Sequence, residues 1–258
     1  MKTILITGCG GFVGSHLADA ELAAGNRVIG FDIASTDKIL HLLEHPNFRY
    51  VRGSILERDA ICPLVEEADV VYHLAAIANV QTYCDDPIRV MDINVDGTRI
   101  VGEAAFRHGK TLVFSSSSEI YGKSAKVPFV ENGDSTLGPT EKARWCYATS
   151  KILGEHYLLA YAHNGARVTI ARFFNFYGPR LDLLGYGRVI PCFLAKFLEG
   201  KPVEVVKPGD QTRCFTYITD GVAALMKMAH DPKAHGQVFN IGATLETSMI
   251  ELAEHIKR

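Results

Sequence analysis

The amino-acid sequence predicts an α/β fold, a doubly wound parallel sheet with a small C-terminal lobe. Three observations lead to this prediction. Short β-branched runs alternate with longer helical segments up to about residue 170, the strand candidates are apolar throughout, and turn residues become frequent after Arg172. Uniformly apolar strands are typical of a sheet that helices cover on both faces. Strand-helix alternation with right-handed crossovers makes such a sheet parallel.

The predicted elements follow in chain order. Strands are expected at Thr3–Thr7, Arg27–Asp32, Phe48–Val51, Val70–Leu74, Thr111–Phe114 and Val168–Arg172. Helices are expected at Gly14–Ala24, Ile88–Gly109 and Tyr147–Asn164, and Gly25, Gly109 and Gly165 stand where C-terminal glycine caps belong. Residues 173–258 are predicted to form the lobe, with one helix at Pro191–Glu199, a strand at Val238–Ile241 that returns to the sheet, and a last helix at Ile250–Arg258.

Composition excludes several classes of protein. The 258 residues are 47% hydrophobic, with 27 basic against 29 acidic side chains, which rules out a disordered, collagen-like or coiled-coil chain. No basic run is present, so we expect neither nucleic acid nor a membrane surface as a partner. No apolar run reaches the roughly 18 residues of a membrane span, and the start does not resemble a signal peptide, so we expect a cytoplasmic protein. The six cysteines are scattered, without metal-ligand spacing, and are expected to be reduced and mostly buried, with no metal site.

A glycine-rich motif indicates a dinucleotide site. Gly8, Gly11 and Gly14 follow the first strand and open the first helix, where small residues let a pyrophosphate approach the helix N-terminus. Asp32 closes the second strand, and a carboxylate there accepts hydrogen bonds from ribose hydroxyls and repels a 2′-phosphate. We therefore expect NAD and a Rossmann domain over residues 1–172. The alternative for the glycine motif is a tight turn that only packs the first helix on the first strand. The alternative for Asp32 is a solvent-exposed residue at the end of a strand.

Three side chains suggest an alcohol-oxidising site. Tyr147 and Lys151 lie four residues apart, hence on one helix face. Ser117 follows the strand Thr111–Phe114, at the sheet edge where Rossmann folds bind ligands. For Tyr147 to act as a base, its pKa must fall from about 10 to about 7, which corresponds to about 4 kcal/mol. We expect Lys151 and a nicotinamide cation to supply this together, with Ser117 as a hydroxyl donor.

Several motifs resemble the extended short-chain dehydrogenases that act on nucleotide sugars, the NAD-dependent epimerase/dehydratase family. They are the glycine motif, His73–Ala76, Asn94–Thr98, Ser115–Gly122, Tyr147-x-x-x-Lys151 and Arg172–Arg180. The resemblance implies a cofactor site made of Gly8, Gly11, Phe12, Val13, Gly14, Asp32, Ser54, Ile55, Leu74, Ala75, Ala76, Asn94, Tyr147 and Lys151. It also implies a homodimer in which the helices Ile88–Gly109 and Tyr147–Asn164 of two copies form a four-helix bundle.

Residues after Ser117 distinguish subgroups of this family. Dehydratases typically have Asp-Glu there, and many 4-epimerases have small or apolar residues, whereas this chain has Ser118-Glu119, the form seen in UDP-glucuronate decarboxylases. The segments Gly138–Tyr147, Tyr177–Asp182 and Gly209–Thr216 are similar to the decarboxylase domain of the bifunctional polymyxin-resistance enzyme, and the last also to UDP-xylose synthases. The resemblance implies oxidation of UDP-glucuronate at C4 and loss of CO₂, giving UDP-xylose or the 4-keto pentose. Ser118 and Glu119 would orient the sugar and move protons.

Substrate contacts are expected from the lobe. Arg188 and Arg213 are candidates because guanidinium groups match phosphate and carboxylate oxygens, with a solvated surface charge as the alternative for each. Asn175 is a candidate because its match in the family contacts the sugar phosphate. Arg144 is interpreted only as a cation at the start of a helix.

Two departures from the family pattern leave alternatives open. Ser54-Ile55 replaces an Asp followed by an apolar residue that contacts adenine in relatives. We also expect a truncated lobe, because relatives extend further and supply an arginine from that tail. Three functions therefore stay open: a UDP-glucuronate decarboxylase, a nucleotide-sugar 4-epimerase acting on a UDP-glucuronate or UDP-glucose type of substrate, and an inactive NAD-sensing module.

Overall fold

The computed structural model describes residues 1–182, 188–205 and 207–257. Seven parallel strands form the main sheet in the order β3-β2-β1-β4-β5-β6-β9. These strands are β1 (Thr3–Thr7), β2 (Arg27–Asp32), β3 (Phe48–Arg52), β4 (Val70–His73), β5 (Thr111–Ser117), β6 (Arg167–Phe173) and β9 (Val238–Ile241). The strand order reverses between β1 and β4, which is where doubly wound sheets open a crevice for a ligand. The predicted fold class is confirmed.

A second, three-stranded sheet lies in the lobe. It contains β7 (Asn175–Tyr177), β8 (Thr212–Tyr217) and β10 (Glu246–Ser248), with β7 parallel and β10 antiparallel to the central β8. The α-helices in the described part of the chain are α1 (Phe12–Ala23), α2 (Arg58–Glu67), α3 (Val80–Asp85), α4 (Pro87–Met91), α5 (Gly97–Arg107), α6 (Trp145–His163), α7 (Val189–Leu198), α8 (Ile218–His230) and α9 (Met249–Lys257). The last residue of the predicted final helix, Arg258, lies outside the described residues.

Apolar layers cover both faces of the main sheet. In β1, Ile4 and Ile6 face the layer that contains α1 and α8, whereas Leu5 faces the layer that contains α2, α5 and α6. All three side chains have no exposed surface. This alternation explains why the strands are apolar at every position. Strand β9 completes the main sheet, and α8 completes one of its covering layers. The segment 173–258 therefore contributes to the larger domain as well as to the lobe.

Two predicted elements differ from the structure by more than two residues at one end, whereas the other predicted limits agree within two residues. Strand β5 continues through the serines to Ser117, because Ser115, Ser116 and Ser117 pair with the last residues of β6. The predicted helix over residues 88–109 is interrupted by a π-helical segment, Asp92–Asp96. Helix α5 resumes at Gly97, where any side chain would collide with Ile55. Helices α2 and α8 were not predicted.

The predicted glycine caps and the cysteine expectation have different outcomes. Gly25, Gly109 and Gly165 adopt positive φ angles of 79°, 59° and 91° directly after helices, as predicted. The expectation of mostly buried cysteines is wrong, because Cys9 is buried, Cys84 is exposed and the other four are intermediate. Within the described ranges, no helix is long and apolar enough to cross a membrane.

Candidate active site

A cleft of about 370 Å³ opens at the carboxyl ends of β1, β4 and β5 and is closed on its other side by the lobe. The predicted site residues that line it are Gly8, Gly11, Phe12, Val13, Gly14, Leu74, Ala76, Ser117, Tyr147, Lys151, Asn175 and Arg188. The predicted residues that are not in its lining are Asp32, Ser54, Ile55, Ala75, Asn94, Ser118, Glu119 and Arg213. The fold therefore brings the glycine loop and the Ser-Tyr-Lys group together around one cavity.

The glycine loop has the shape that a pyrophosphate requires. Gly8 has a φ of 76°, and a Cβ there would lie 2.8 Å from the backbone nitrogen of Ala75. At Gly14 a Cβ would lie 2.2 Å from the carbonyl oxygen of Gly8. Gly11 caps α1 without a side-chain hydrogen bond, which leaves the first N–H groups of the helix available to an anion. These features fit a dinucleotide.

Asp32 supports this loop from β2. Its Oδ2 accepts a hydrogen bond from the N–H of Gly10 at 2.8 Å, and its Oδ1 accepts one from the N–H of Ala34 at 2.9 Å. The carboxylate thus shapes the loop directly, and the predicted contact with the ribose hydroxyls stays a prediction.

Asn94 differs from the expectation of a cofactor contact. It is 1% exposed, its Oδ1 accepts from the N–H of Ile77 at 2.8 Å, and its Nδ2 donates to the carbonyl oxygen of Ile77 and to Ser150 Oγ. Its amide therefore holds the loop after β4 against α6. Ser54 and Ile55 also make contacts within the protein, and their predicted cofactor contacts stay predictions. Ser54 Oγ accepts from the N–H of Leu56, and Ile55 is buried in the apolar layer against α5.

Tyr147 and Lys151 lie one turn apart on α6 and face the end of β5. Lys151 Nζ donates to the carbonyl oxygen of Ser115 at 2.7 Å and lies 4.8 Å from the centre of the Phe114 ring. Tyr147 is 9% exposed, hydrogen-bonds with Ser117, and stacks on Tyr83 with ring centres 5.4 Å apart. A substrate hydroxyl in the cleft could therefore form hydrogen bonds with the hydroxyl groups of both Tyr147 and Ser117.

Burial dominates the electrostatics of this pair. It raises the pKa of Tyr147 to about 12, although the hydrogen bond with Ser117 and the charge of Arg188 act in the opposite direction. Burial also lowers the pKa of Lys151 to about 7, against the raising effect of the Glu155 carboxylate. In the protein alone, Lys151 is not among the groups that shift the pKa of Tyr147, and the expected joint effect of Lys151 and a nicotinamide cation stays a prediction. A cation bound beside the ring would act in the required direction.

Glu119 forms an ion pair that the sequence did not suggest. It lies in the 3₁₀ turn Ser118–Tyr121, and its backbone N–H donates to Ser117 Oγ at 3.2 Å. Arg144 Nη2 donates to Glu119 Oε2 at 2.9 Å, and the guanidinium lies 4.6 Å from the centre of the Trp145 ring. The Glu119 charge raises the pKa of Tyr147. The sequence analysis interpreted Arg144 only as a cation at the start of a helix, whereas the structure pairs it with the turn after Ser117, outside the lining of the cleft.

The lobe brings two of its three predicted residues to the cleft. Asn175, on β7, donates from Nδ2 to the carbonyl oxygen of Cys214 at 3.1 Å. Arg188, at the start of α7, has a buried Nη1 without a hydrogen-bond partner among the residues that the structure describes. Arg213 is exposed on β8, donates to the carbonyl oxygen of Thr212, and lies away from the cleft lining. An anionic ligand would satisfy Arg188.

Comparisons with known proteins extend over nearly the whole chain. The model of the NAD dependent epimerase/dehydratase family matches residues 4–242. The UDP-N-acetyl-alpha-D-glucosaminuronate decarboxylase of Bacillus cytotoxicus is 42% identical over 256 residues, which cover 99% of this chain and 79% of that protein.

Solved structures give the same picture. The crystal structure of the PbgP3 protein from Burkholderia pseudomallei matches with a TM-score of 0.90 and 35% identity, over 98% of this chain and 79% of that one. The UDP-glucuronic acid 4-epimerase from Bacillus cereus, in complex with UDP-glucuronic acid and NAD, matches with a TM-score of 0.88 and 29% identity, over 99% and 82% of the two chains. The similarities thus include both a decarboxylase and an epimerase.

Proposed function

Because the chain belongs to the NAD-dependent epimerase/dehydratase family, we propose that it oxidises a UDP-hexuronate at C4 and decarboxylates it. The family and the relatives make it an NAD-dependent nucleotide-sugar enzyme, and the expectation of NAD as cofactor is confirmed. UDP-glucuronate is the first candidate substrate. The N-acetylated uronate named for the Bacillus cytotoxicus relative is the second.

The Glu119–Arg144 ion pair supports this proposal most strongly. Elimination of water by the family's dehydratases uses an Asp-Glu pair after the catalytic hydroxyl, and Ser118 here provides no acid. The one carboxylate of this turn, Glu119, is paired with the Arg144 guanidinium at 2.9 Å. The same guanidinium provides an opposite charge for a uronate carboxylate near Tyr147.

The residues of the cleft divide the work as follows. Tyr147 accepts the proton of the C4 hydroxyl, Ser117 donates a hydrogen bond to the C4 oxygen, and Lys151 stabilises the phenolate by its charge. The glycine loop Gly8–Gly14 and Lys151 would hold NAD, which would supply a hydride acceptor for C4. The carboxylate is then β to a ketone and leaves as CO₂, since the electrons of the broken bond are delocalised into that ketone. Arg188 and Asn175 would hold the acidic groups of the substrate.

Product mass tests the proposal. The protein is incubated with NAD and either UDP-glucuronate or UDP-N-acetylglucosaminuronate, and the products are analysed by mass spectrometry, with Tyr147→Phe as control. We expect a product lighter by CO₂ from one of the two substrates and none with Tyr147→Phe. A product of unchanged mass from both would refute the decarboxylase assignment.

A 4-epimerase is the second candidate. The similarity to the Bacillus cereus UDP-glucuronic acid 4-epimerase favours it, because that enzyme shares the fold over 99% of this chain. It predicts a product of unchanged mass with the C4 hydroxyl inverted, which proton NMR of the sugar distinguishes from unreacted substrate.

A further inference from the structure

Helix α6 presents a third ionisable side chain on the face that bears Tyr147 and Lys151. Glu155 follows Lys151 by four residues, so the three side chains lie in one row along the helix. Glu155 is 6% exposed. A carboxylate that deep in a protein requires partners, because an unpaired buried charge is costly.

Two adjacent strands provide those partners. Arg172 binds the Glu155 carboxylate with two parallel hydrogen bonds, from Nε to Oε1 at 3.0 Å and from Nη2 to Oε2 at 2.7 Å. Ser116 Oγ also donates to Oε1. Ser116 of β5 and Arg172 of β6 are direct neighbours in the sheet register. One carboxylate thus fixes α6 against two strands.

Arg172 extends the connection to the segment that bears Glu119. Its Nη1 donates to Tyr121 Oη at 2.8 Å and to the carbonyl oxygen of Glu131 at 2.7 Å. Tyr121 Oη in turn donates to Asn240 Oδ1 at 2.7 Å. Tyr121 ends the turn that begins with Ser118, so the same ion pair links the helix of Tyr147 to the turn of Glu119.

We propose that Glu155 is a positioning residue that sets the place of α6 against β5 and keeps Lys151 protonated. This inference rests on the proposed function for the roles of Tyr147 and Lys151. The charged and titratable groups around the two side chains are Tyr147 and Glu155 on α6, His73 on β4, and Arg172 and Tyr121 next to Glu155.

The position of Glu155 one turn after Lys151 on the same helix face and the charges around Lys151 together determine the expected direction of the change. Burial lowers the pKa of Lys151 to about 7, and the Glu155 charge raises it. Burial and the charge of Lys151 lower the pKa of His73 to about 3, so its imidazole is neutral and adds no charge beside Lys151. Without the Glu155 charge, Lys151 loses its proton at lower pH, and activity that needs the ammonium declines at lower pH as well.

The test uses Glu155→Gln, with Glu67→Gln as a matched control that removes a carboxylate paired with Arg27 and Arg49 far from the cleft. The titration of Lys151 is followed directly by NMR of ¹³Cε-labelled lysine, with the signal assigned through Lys151→Arg. We expect the pKa of Lys151 to fall by about one unit or more in Glu155→Gln and to stay unchanged in Glu67→Gln. This readout needs no substrate, so it is independent of the proposed reaction.

Turnover provides the second readout. In Glu155→Gln we expect the alkaline limb of the pH–rate profile to shift by about one unit to lower pH. At pH values above that limb the rate should fall about tenfold, and the affinity for NAD should stay unchanged. Glu155→Asp keeps the charge and should retain the position of the limb. Because Glu155→Gln leaves Arg172 unpaired, the double variant Glu155→Gln/Arg172→Met guards against loss of folding. A folded single or double variant with the parent's Lys151 titration and profile would overturn the proposal.

Discussion

Replacing Asn94 by alanine separates two roles for this side chain. The resemblance to the family implies a cofactor contact, whereas the structure places Asn94 in three hydrogen bonds inside the protein. It is 1% exposed and links the loop at Ile77 to Ser150 of α6. Loss of the amide should therefore destabilise the protein even in the absence of NAD.

The magnitude follows from the groups that lose their partner. Asn94→Ala leaves the N–H and C=O of Ile77 unpaired in a partly buried loop, and each unsatisfied group costs about 1–3 kcal/mol, less where water reaches it. Ser150 keeps its hydrogen bond to the carbonyl oxygen of Tyr147 at 2.7 Å. We therefore expect a loss of about 2–4 kcal/mol in the free energy of unfolding.

Urea denaturation of the NAD-free protein measures this loss. The control is Asn164→Ala, since Asn164 is exposed and makes one side-chain hydrogen bond, to the carbonyl oxygen of Ala160. It should change the free energy of unfolding by less than about 0.5 kcal/mol. If Asn94→Ala keeps the parent's stability and only weakens NAD binding, the positioning role is refuted.

Three further predictions concern the substrate, the pH dependence of folding, and assembly. Arg188→Met should raise the KM for a UDP-sugar at least about tenfold, because a guanidinium contact with an anion contributes about 1.5–3 kcal/mol. Arg213→Met should change this KM less than about threefold. Equal effects of the two variants in steady-state kinetics would contradict the role of Arg188 as the substrate contact. The free energy of unfolding should fall as pH drops below about 6.5, because burial holds the pKa of His73 at about 3 in the folded state, whereas His73 of the unfolded chain binds a proton. Urea midpoints at pH 7 and pH 5 measure this loss. An equal loss in His73→Gln would speak against the role of His73. We expect a homodimer whose interface is formed by α5 and α6, where Phe106 is 37% exposed. The variant Phe106→Glu should sediment as a monomer. A monomeric unsubstituted protein would exclude the dimer.

The local sequence contained most of the fold. The apolar strands and the glycine spacing are short-range signals; the first predicted the sheet, and the second placed the cofactor loop after β1. The extension of β5 was missed because serine is a weak strand former, and only pairing with β6 keeps Ser115–Ser117 extended. The break at Asp92–Asp96 was missed, and Asn94 within it hydrogen-bonds to Ile77, 17 residues away, a contact that no local pattern indicates.

The site was predictable in its components and less so in its pairings. Tyr147, Lys151 and Ser117 were found by spacing and by their place in the fold. Arg188 and Arg213 look alike in the sequence, and only the tertiary structure places one in the cleft and the other outside its lining. The ion pair of Arg144 with Glu119 joins residues 25 positions apart, so no local pattern could indicate it.

Oxidation at C4 before loss of CO₂ is the central claim, and UDP-glucuronate deuterated at C4 tests it most directly. The protein is mixed rapidly with NAD and either the deuterated or the ordinary substrate, and the absorbance of NADH and the release of CO₂ are followed together. We predict that deuterium slows both signals and that Tyr147→Phe abolishes both. Release of CO₂ without formation of NADH would contradict the account. So would release of CO₂ at the same rate from the two substrates, once hydride transfer from C4 has been shown to limit the rate with the ordinary substrate.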